Sequence, residues 1–179
     1  MRIHRTATLL FTTVLLWAGS VRAAEPAPST GTWMVTPRGD QVQLSLHSKE
    51  GFQMGLTLPR SAFQGLSTED NTDARFQLVR EAGQLHLEGR FSQGEGAGHY
   101  RFEPNATWRE QLEKLGYPNV TQDTQFRFAL LDLNPAFVRE IHAAGLPRIT
   151  LTKLEQLRAL GIDASYIRAL SKARSAGSR

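Results

Sequence analysis

The sequence predicts an α+β protein, an antiparallel β-sheet of about six strands followed by short αα-hairpin repeats. Three observations predict it. Apolar and polar residues alternate with period two along much of the stretch from Val42 to Phe102. Within that stretch, two runs flank a glycine-bearing turn and pair in one self-consistent register. From Trp108 onward the chain repeats itself at a spacing of 29 residues.

The sheet region is assigned to residues 31–104. Val42, Leu44 and Leu46 interleave with Gln41, Gln43 and Ser45, and Phe52, Met54, Leu56 and Leu58 interleave with Gln53, Gly55 and Thr57. Alternation of this kind describes strands with one buried face. Arg38-Gly39-Asp40 and Lys49-Glu50-Gly51 are the turns between them. Pro59 to Leu66 breaks the pattern and reads as a short turn that tucks Phe63 and Leu66 under the sheet. Ser67 to Asp73 is polar and acidic, a surface loop. Trp33 and Phe76-Gln77-Leu78 supply two more strands.

The hairpin is Gly83–Phe91 against Gly96–Phe102 across Ser92-Gln93-Gly94-Glu95. With Phe91 opposite Gly96, Leu87 faces Tyr100, Leu85 faces Phe102 and Gly89 faces Gly98. Every apolar residue then lies on one face, with His86, Glu88, His99 and Arg101 on the other. The five glycines of this region do not lead into a helix and no Lys-Ser or Lys-Thr follows them, so they mark bends rather than a phosphate loop.

The helical repeat is assigned to residues 105–174 and a tail to 175–179. Gly116, Pro118 and Thr121 recur as Gly145, Pro147 and Thr150. Leu131, Leu133, Phe137 and Arg139 recur as Leu160, Ile162, Tyr166 and Arg168, and Leu112, Ile141 and Leu170 form a flanking series. Each unit reads as two short helices. Thr121 or Thr150 caps the first, Asn134 or Asp163 the second, and Pro135 takes the first turn. Thr107-x-x-Glu110 reads as a capping box ahead of the first unit. Helices this short need tertiary packing, and Leu151, Leu154, Leu157 and Leu160 are the expected packing stripe.

The first 23 residues have the three parts of an export signal: basic Met1–Arg5, an uncharged apolar run from Thr6 to Ala18, and small residues to Ala23. The apolar run is shorter than the ~20 residues a membrane-spanning helix needs. Residues 24–30, which include Glu25-Pro26-Ala27-Pro28, read as a linker. No cysteine is present, which excludes disulfides and thiol catalysis. The formal charge of +4 owes three units to Arg2, Arg5 and Arg22 within the signal. Residues 24–104 carry 7 basic and 10 acidic side chains and residues 105–179 carry 11 and 7. An acidic half followed by a basic half is not a phosphate-binding surface, so no nucleic-acid partner is expected. After signal cleavage no membrane span is expected either.

No catalytic motif is present, neither a nucleophile elbow nor a zinc-peptidase signature, and no cofactor or metal is expected. The best polar constellation is His86, Glu88, His99 and Arg101, a ligand-facing candidate on the outer sheet face. Arg139 and Arg168, in phase with the repeat, and Tyr166 are candidate partner contacts.

Gly116-Tyr117-Pro118-Asn119-Val120-Thr121 and the stretch from Leu160 to Leu170 resemble a degenerate helical repeat of exported bacterial proteins. It is similar to extracytoplasmic modules associated with antibiotic-sensor-type membrane metallopeptidases. Arg80–Phe91, Gly94-x-Gly96-x-Gly98 and Phe102-x-Pro104-Asn105 resemble the β-segment that precedes it. The peptidase motif is lacking, so the resemblance implies an envelope protein without that activity. The leading expectation is a non-enzymatic periplasmic or secreted module that binds another envelope or membrane protein. The alternatives are a small-ligand binder, with the Gly89–Gly98 pair as an opening in the sheet, and a hydrolase with no recognisable motif.

Overall fold

The computed structural model describes residues 29–48 and 51–176, with side chains to residue 173. The assigned signal and most of the linker lie outside these residues, as do Lys49 and Glu50 of the second turn. The chain forms an α+β fold. Seven strands make one antiparallel sheet: β1 (Thr30–Arg38), β2 (Gln41–Ser48), β3 (Gln53–Pro59), β4 (Phe63–Gln64), β5 (Asp73–Arg80), β6 (Gly83–Ser92) and β7 (Glu95–Pro104). Their spatial order is β3-β2-β1-β7-β6-β5-β4.

The seventh strand, absent from the sequence expectation, is the two-residue β4, which pairs Phe63 with Leu78 and Gln64 with Gln77. A strand of two residues is too short to show period two. It follows a single 3-10 turn at Arg60–Ala62. This short link joins the two outermost strands of the sheet. Flat, those edges would stand about 29 Å apart, six strand spacings, whereas the few residues from Pro59 to Phe63 reach about 14 Å. The sheet therefore curls until its edges approach.

Curling encloses the apolar face. Trp33, Val35, Leu44, Phe76, Leu87 and Phe91 are among the residues buried inside, and Trp33 meets Phe76 edge-on at 5.1 Å. The β6–β7 hairpin adopts the expected register residue for residue, from Gly83 opposite Pro104 to Ser92 opposite Glu95. Gln93 and Gly94 both have positive φ, 55° and 80°, as the favoured two-residue hairpin turn requires.

The Gly89–Gly98 pair is closed, contrary to the expected opening. A Cβ on Gly98 would stand 2.0 Å from the Glu88 carbonyl oxygen and one on Gly89 2.1 Å from that of Ala97. The Trp33 indole lies against this pair, donating from Nε1 to the carbonyls of His99 at 3.0 Å and Glu88 at 3.2 Å. These glycines let two backbones and an indole pack together, which leaves no room for a ligand.

Among the described residues five helices follow: α1 (Ala106–Lys114), α2 (Gln122–Leu130), α3 (Pro135–Ala143), α4 (Leu151–Ala159) and α5 (Ala164–Ala176). The last runs into the segment expected to be a tail. Helix α2 sits on the sheet. Its Phe126 ring meets Phe52 at 5.4 Å, Tyr100 at 5.5 Å and Phe102 at 5.2 Å. Beside it Gln125 is fully buried. Its Nε2 donates to the carbonyls of Ala82 at 2.7 Å and Asn105 at 2.8 Å, and its Oε1 accepts from Arg109. The helices are thus docked on the sheet by one aromatic cluster and one saturated amide.

The 29-residue period appears in the backbone itself. Helices α1, α3 and α5 start at 106, 135 and 164, and α2 and α4 at 122 and 151. Four helix ends carry a left-handed residue, Gly116, Asp132, Gly145 and Gly161. In each the following amide reaches five residues back, Tyr117 to Leu112, Leu133 to Phe128, Leu146 to Ile141 and Ile162 to Leu157, which satisfies the last carbonyls of the helix. Thr121, Thr150, Asn134 and Asp163 cap the four later helices as expected. The first is capped differently. Asn105 Oδ1 accepts from the Thr107 amide at 3.0 Å, and the expected Thr107 capping box does not form, because Thr107 is already inside the helix. Asn105, Asn134 and Asp163 are themselves 29 residues apart, so the repeat extends back to the cap of α1.

Candidate functional site

The outer face of the sheet collects the polar side chains that alternation sends away from the core. His86 lies opposite Arg101 and Glu88 opposite His99, so the four candidates form one adjacent block. His86 Nε2 stands 3.3 Å from Glu103 Oε2, and Arg101 reaches the same oxygen at 3.4 Å. Glu103, two residues beyond Arg101 on β7, was not singled out in the sequence; period two alone places it on this face. His99 also neighbours Thr32, which in turn neighbours His47, and the hollow over these three has a volume of about 310 Å³. A second hollow of about 380 Å³ lies over His86, Glu88 and Arg75. Among the described residues no three His, Asp or Glu converge to hold a metal ion. The block sets half-buried His86 among exposed His99, exposed carboxylates and an exposed arginine, and among these residues no nucleophile is paired with a base.

Inside the helical stack the polar groups are structural. Tyr117 Oη donates to the Ile149 carbonyl at 2.8 Å and meets His142 Nε2 at 2.9 Å. With its own hydrogen committed to Ile149, Tyr117 accepts from His142, which places a hydrogen on that ring nitrogen. Burial raises the Tyr117 pKa above its ordinary 10.0. The folded state therefore holds the phenolic proton more tightly than the unfolded chain. This contribution is complete below pH 10.0 and is lost as pH rises through the raised value. Alkaline unfolding followed by circular dichroism should fall less steeply in Tyr117→Phe than in the parent; equal slopes would remove Tyr117 from this role.

A second, partly exposed network joins the sheet to the repeat. Asp132 stands 3.6 Å from Arg80 of β5 and 3.5 Å from Arg158 of α4. Arg158 also donates to the Leu131 carbonyl at 3.0 Å and stacks over the Phe137 ring at 5.3 Å. Arg127 ties α2 to α4 through Glu155 at 3.0 Å.

The far end of the stack is different. Leu160, Tyr166 and Leu170 are 74%, 57% and 61% exposed. Leu160 was expected in the packing stripe; Leu154 of that stripe is fully buried, and Leu160 faces solvent because no element follows to cover it among the described residues. Tyr166 and Leu170 line an open groove of about 700 Å³ with Leu146, Leu157, Ile162 and Ile167. Of the three candidate contacts in the repeat, Tyr166 forms part of this groove. Arg168 is exposed on the same helix, α5, and Arg139 is exposed on α3, one repeat away. The structure does not unite Arg139 with the other two.

The fold and groove define a class: a curled antiparallel sheet carrying a short αα-solenoid with one end uncovered among the described residues. Comparison with known proteins gives no match, whether to a family model, a curated protein or a solved structure. Among the described residues no helix is long and apolar enough to cross a membrane.

Proposed function

We propose that the chain is a non-enzymatic interaction module of the periplasm or the secreted fraction, and that it binds another envelope or membrane protein through the uncovered end of its helical stack. The observation that carries this reading is the exposure of Leu146, Tyr166 and Leu170 around one apolar groove. Scattered apolar residues are ordinary on a protein surface, whereas a contiguous cluster marks a contact surface. Helical repeats supply such surfaces by stacking. The basic, apolar and small segments of residues 1–23 support an exported location. The resemblance to extracytoplasmic modules supports an envelope partner.

The test is a photo-crosslinking side chain placed at Leu170 and, as control, at Glu88 on the outer sheet, in intact cells. A discrete adduct from position 170, absent from position 88 and recovered with the periplasmic or secreted fraction, is the expected result. The same adducts from both positions, or none from position 170, would overturn the interaction reading. Recovery in the cytoplasm with residues 1–23 attached would overturn the location.

A further inference from the structure

The groove repeats, one period on, a surface that the protein already fills elsewhere. Leu157, Ile162, Tyr166, Ile167, Leu170 and Ala173 line it. Twenty-nine residues earlier stand Phe128, Leu133, Phe137, Val138, Ile141 and Ala144, and all six of these are buried. The helices of the next repeat lie against part of this surface. Helix α3 packs on α5, Leu154 joins the same core with Ile149 and Leu151 at its margin, Tyr117 bonds to the Ile149 carbonyl and Arg158 covers Phe137. The backbone of the outer copy keeps the same geometry, with left-handed Gly145 and Gly161 and the same five-residue closing bonds. The groove is therefore a seat for short amphipathic helices, shaped by the same repeat that fills its inner equivalent.

The charge carried by the two repeats differs. Residues 116–144 contain three acidic side chains (Asp123, Asp132, Glu140) and two basic ones. Residues 145–173 contain two acidic side chains and five basic ones. Asp132 and Glu140 are replaced in register by Gly161 and Ala169, while Arg148, Lys153 and Lys172 are added. Both remaining acids are engaged: Glu155 with Arg127, and Asp163 in capping the Tyr166 amide and accepting from Ser165. An end-to-end pairing of two copies would bring these cationic ends together, and like charges across an interface disfavour it.

Resting on the interaction reading above, we infer that the uncovered end binds an acidic amphipathic α-helix of another polypeptide, seated as the next repeat would be. Its apolar stripe covers Leu157, Ile162, Tyr166 and Leu170, and its carboxylates complement Arg148, Arg168 and Lys172.

Two synthetic peptides test this, each about 18 residues long so that a helix is accessible in isolation. Both carry leucine at helical spacing; the other positions are mainly glutamate in one and lysine in the other. Binding to the full chain is read by fluorescence anisotropy and located by amide chemical shifts. The glutamate peptide should bind at least about tenfold more tightly than the lysine peptide and should weaken as salt is raised through about 0.1 M. Leu170→Glu should lose at least about tenfold of that affinity while melting like the parent, because Leu170 is already exposed. Equal or preferential binding of the lysine peptide overturns the proposal, as do shifts mapped away from the groove. Concentration-dependent dimerisation abolished by Leu170→Glu would assign the groove to a second copy and also overturn it. A position-170 adduct in cells without glutamate-peptide binding sinks the acidic helix and leaves the interaction reading standing. Peptide binding with no adduct in cells shows that the groove accepts an acidic helix but overturns the interaction reading, and with it the assignment of a partner polypeptide.

Discussion

Replacing Phe126 by alanine lowers the unfolding free energy by about 4 kcal/mol, the middle of the range for truncating a buried phenylalanine. The ring is 2% exposed and touches three aromatic rings that come from the sheet: Phe52 from the loop before β3, and Tyr100 and Phe102 from β7. Its loss opens a cavity between two layers that cannot close without moving one of them. Aromatic pairs of this geometry add about 0.5–1.5 kcal/mol each beyond area burial, which keeps the effect above the lower end. The helices of the repeat are mostly nine residues long and do not persist without packing, so loosening this joint should expose them first. Denaturant unfolding read by far-ultraviolet circular dichroism, together with hydrogen exchange, checks both statements. The expected outcome is a lower midpoint, with amide protection lost earlier in α2 to α5 than in β5 to β7. A loss of less than about 1.5 kcal/mol, the level of a small volume change, would mean that the helices are not docked through Phe126.

Gln125→Leu should cost about 3 kcal/mol although it places an apolar side chain in a buried site. The amide donates to Ala82 and Asn105 carbonyls from one nitrogen and accepts from Arg109 at its oxygen. Leucine removes one of two donors from each carbonyl, since Ala82 still accepts from the Asn105 amide and Asn105 from the Arg109 amide, and it takes the acceptor from a guanidinium; these losses together fall within the upper part of the about 1–3 kcal/mol that a disrupted buried polar group costs. The midpoint of denaturation should move while its steepness stays constant, since the folded surface is nearly unchanged. A neutral or stabilising outcome would show that water reaches the two carbonyls. Gln125→Glu gives an independent reading. It keeps the acceptor for Arg109 but loses the donor, so a cost close to that of leucine would assign the effect to the two carbonyls.

Much of this architecture was legible in the chain. The β6–β7 register followed from one requirement, that Leu85, Leu87, Phe91, Tyr100 and Phe102 share a face, because a slip of one residue would expose all five. The period of 29 gave the caps at Thr121, Thr150, Asn134 and Asp163. It also contained information that went unread. Counting back from Asn134 gives Asn105, the true cap of α1. Counting back from the core residue Leu154 gives Gln125, a polar residue in a core position and hence one that needs partners. The two-residue β4 left no pattern, since period two needs more than two residues to show itself.

The candidate site was partly legible. Tyr166 was marked by its phase in the repeat, but Leu160 was assigned to the packing stripe with its equivalent Leu131 apolar, and Leu170 was read only as a member of the flanking series with Leu112 and Ile141. Repeat periodicity is a local property and is identical in an inner copy and an outer one. Whether a position is covered depends on what lies next in space, and the last copy has no neighbour among the described residues.

By itself, the sequence determined the α+β class, the face each strand residue takes, the hairpin register, four of the five helix caps and the repeat spacing. Each depends on residues a few positions apart or on a fixed period, which short-range sterics and hydrogen bonding enforce. The tertiary structure alone decided that the sheet curls through the Arg60–Ala62 link, that Trp33 and two glycines close the gap expected between β6 and β7, that Phe126 and Gln125 fasten the helices to the sheet, and that one end of the stack stands open. These are outcomes of long-range packing, in which residues dozens of positions apart compete for the same buried volume.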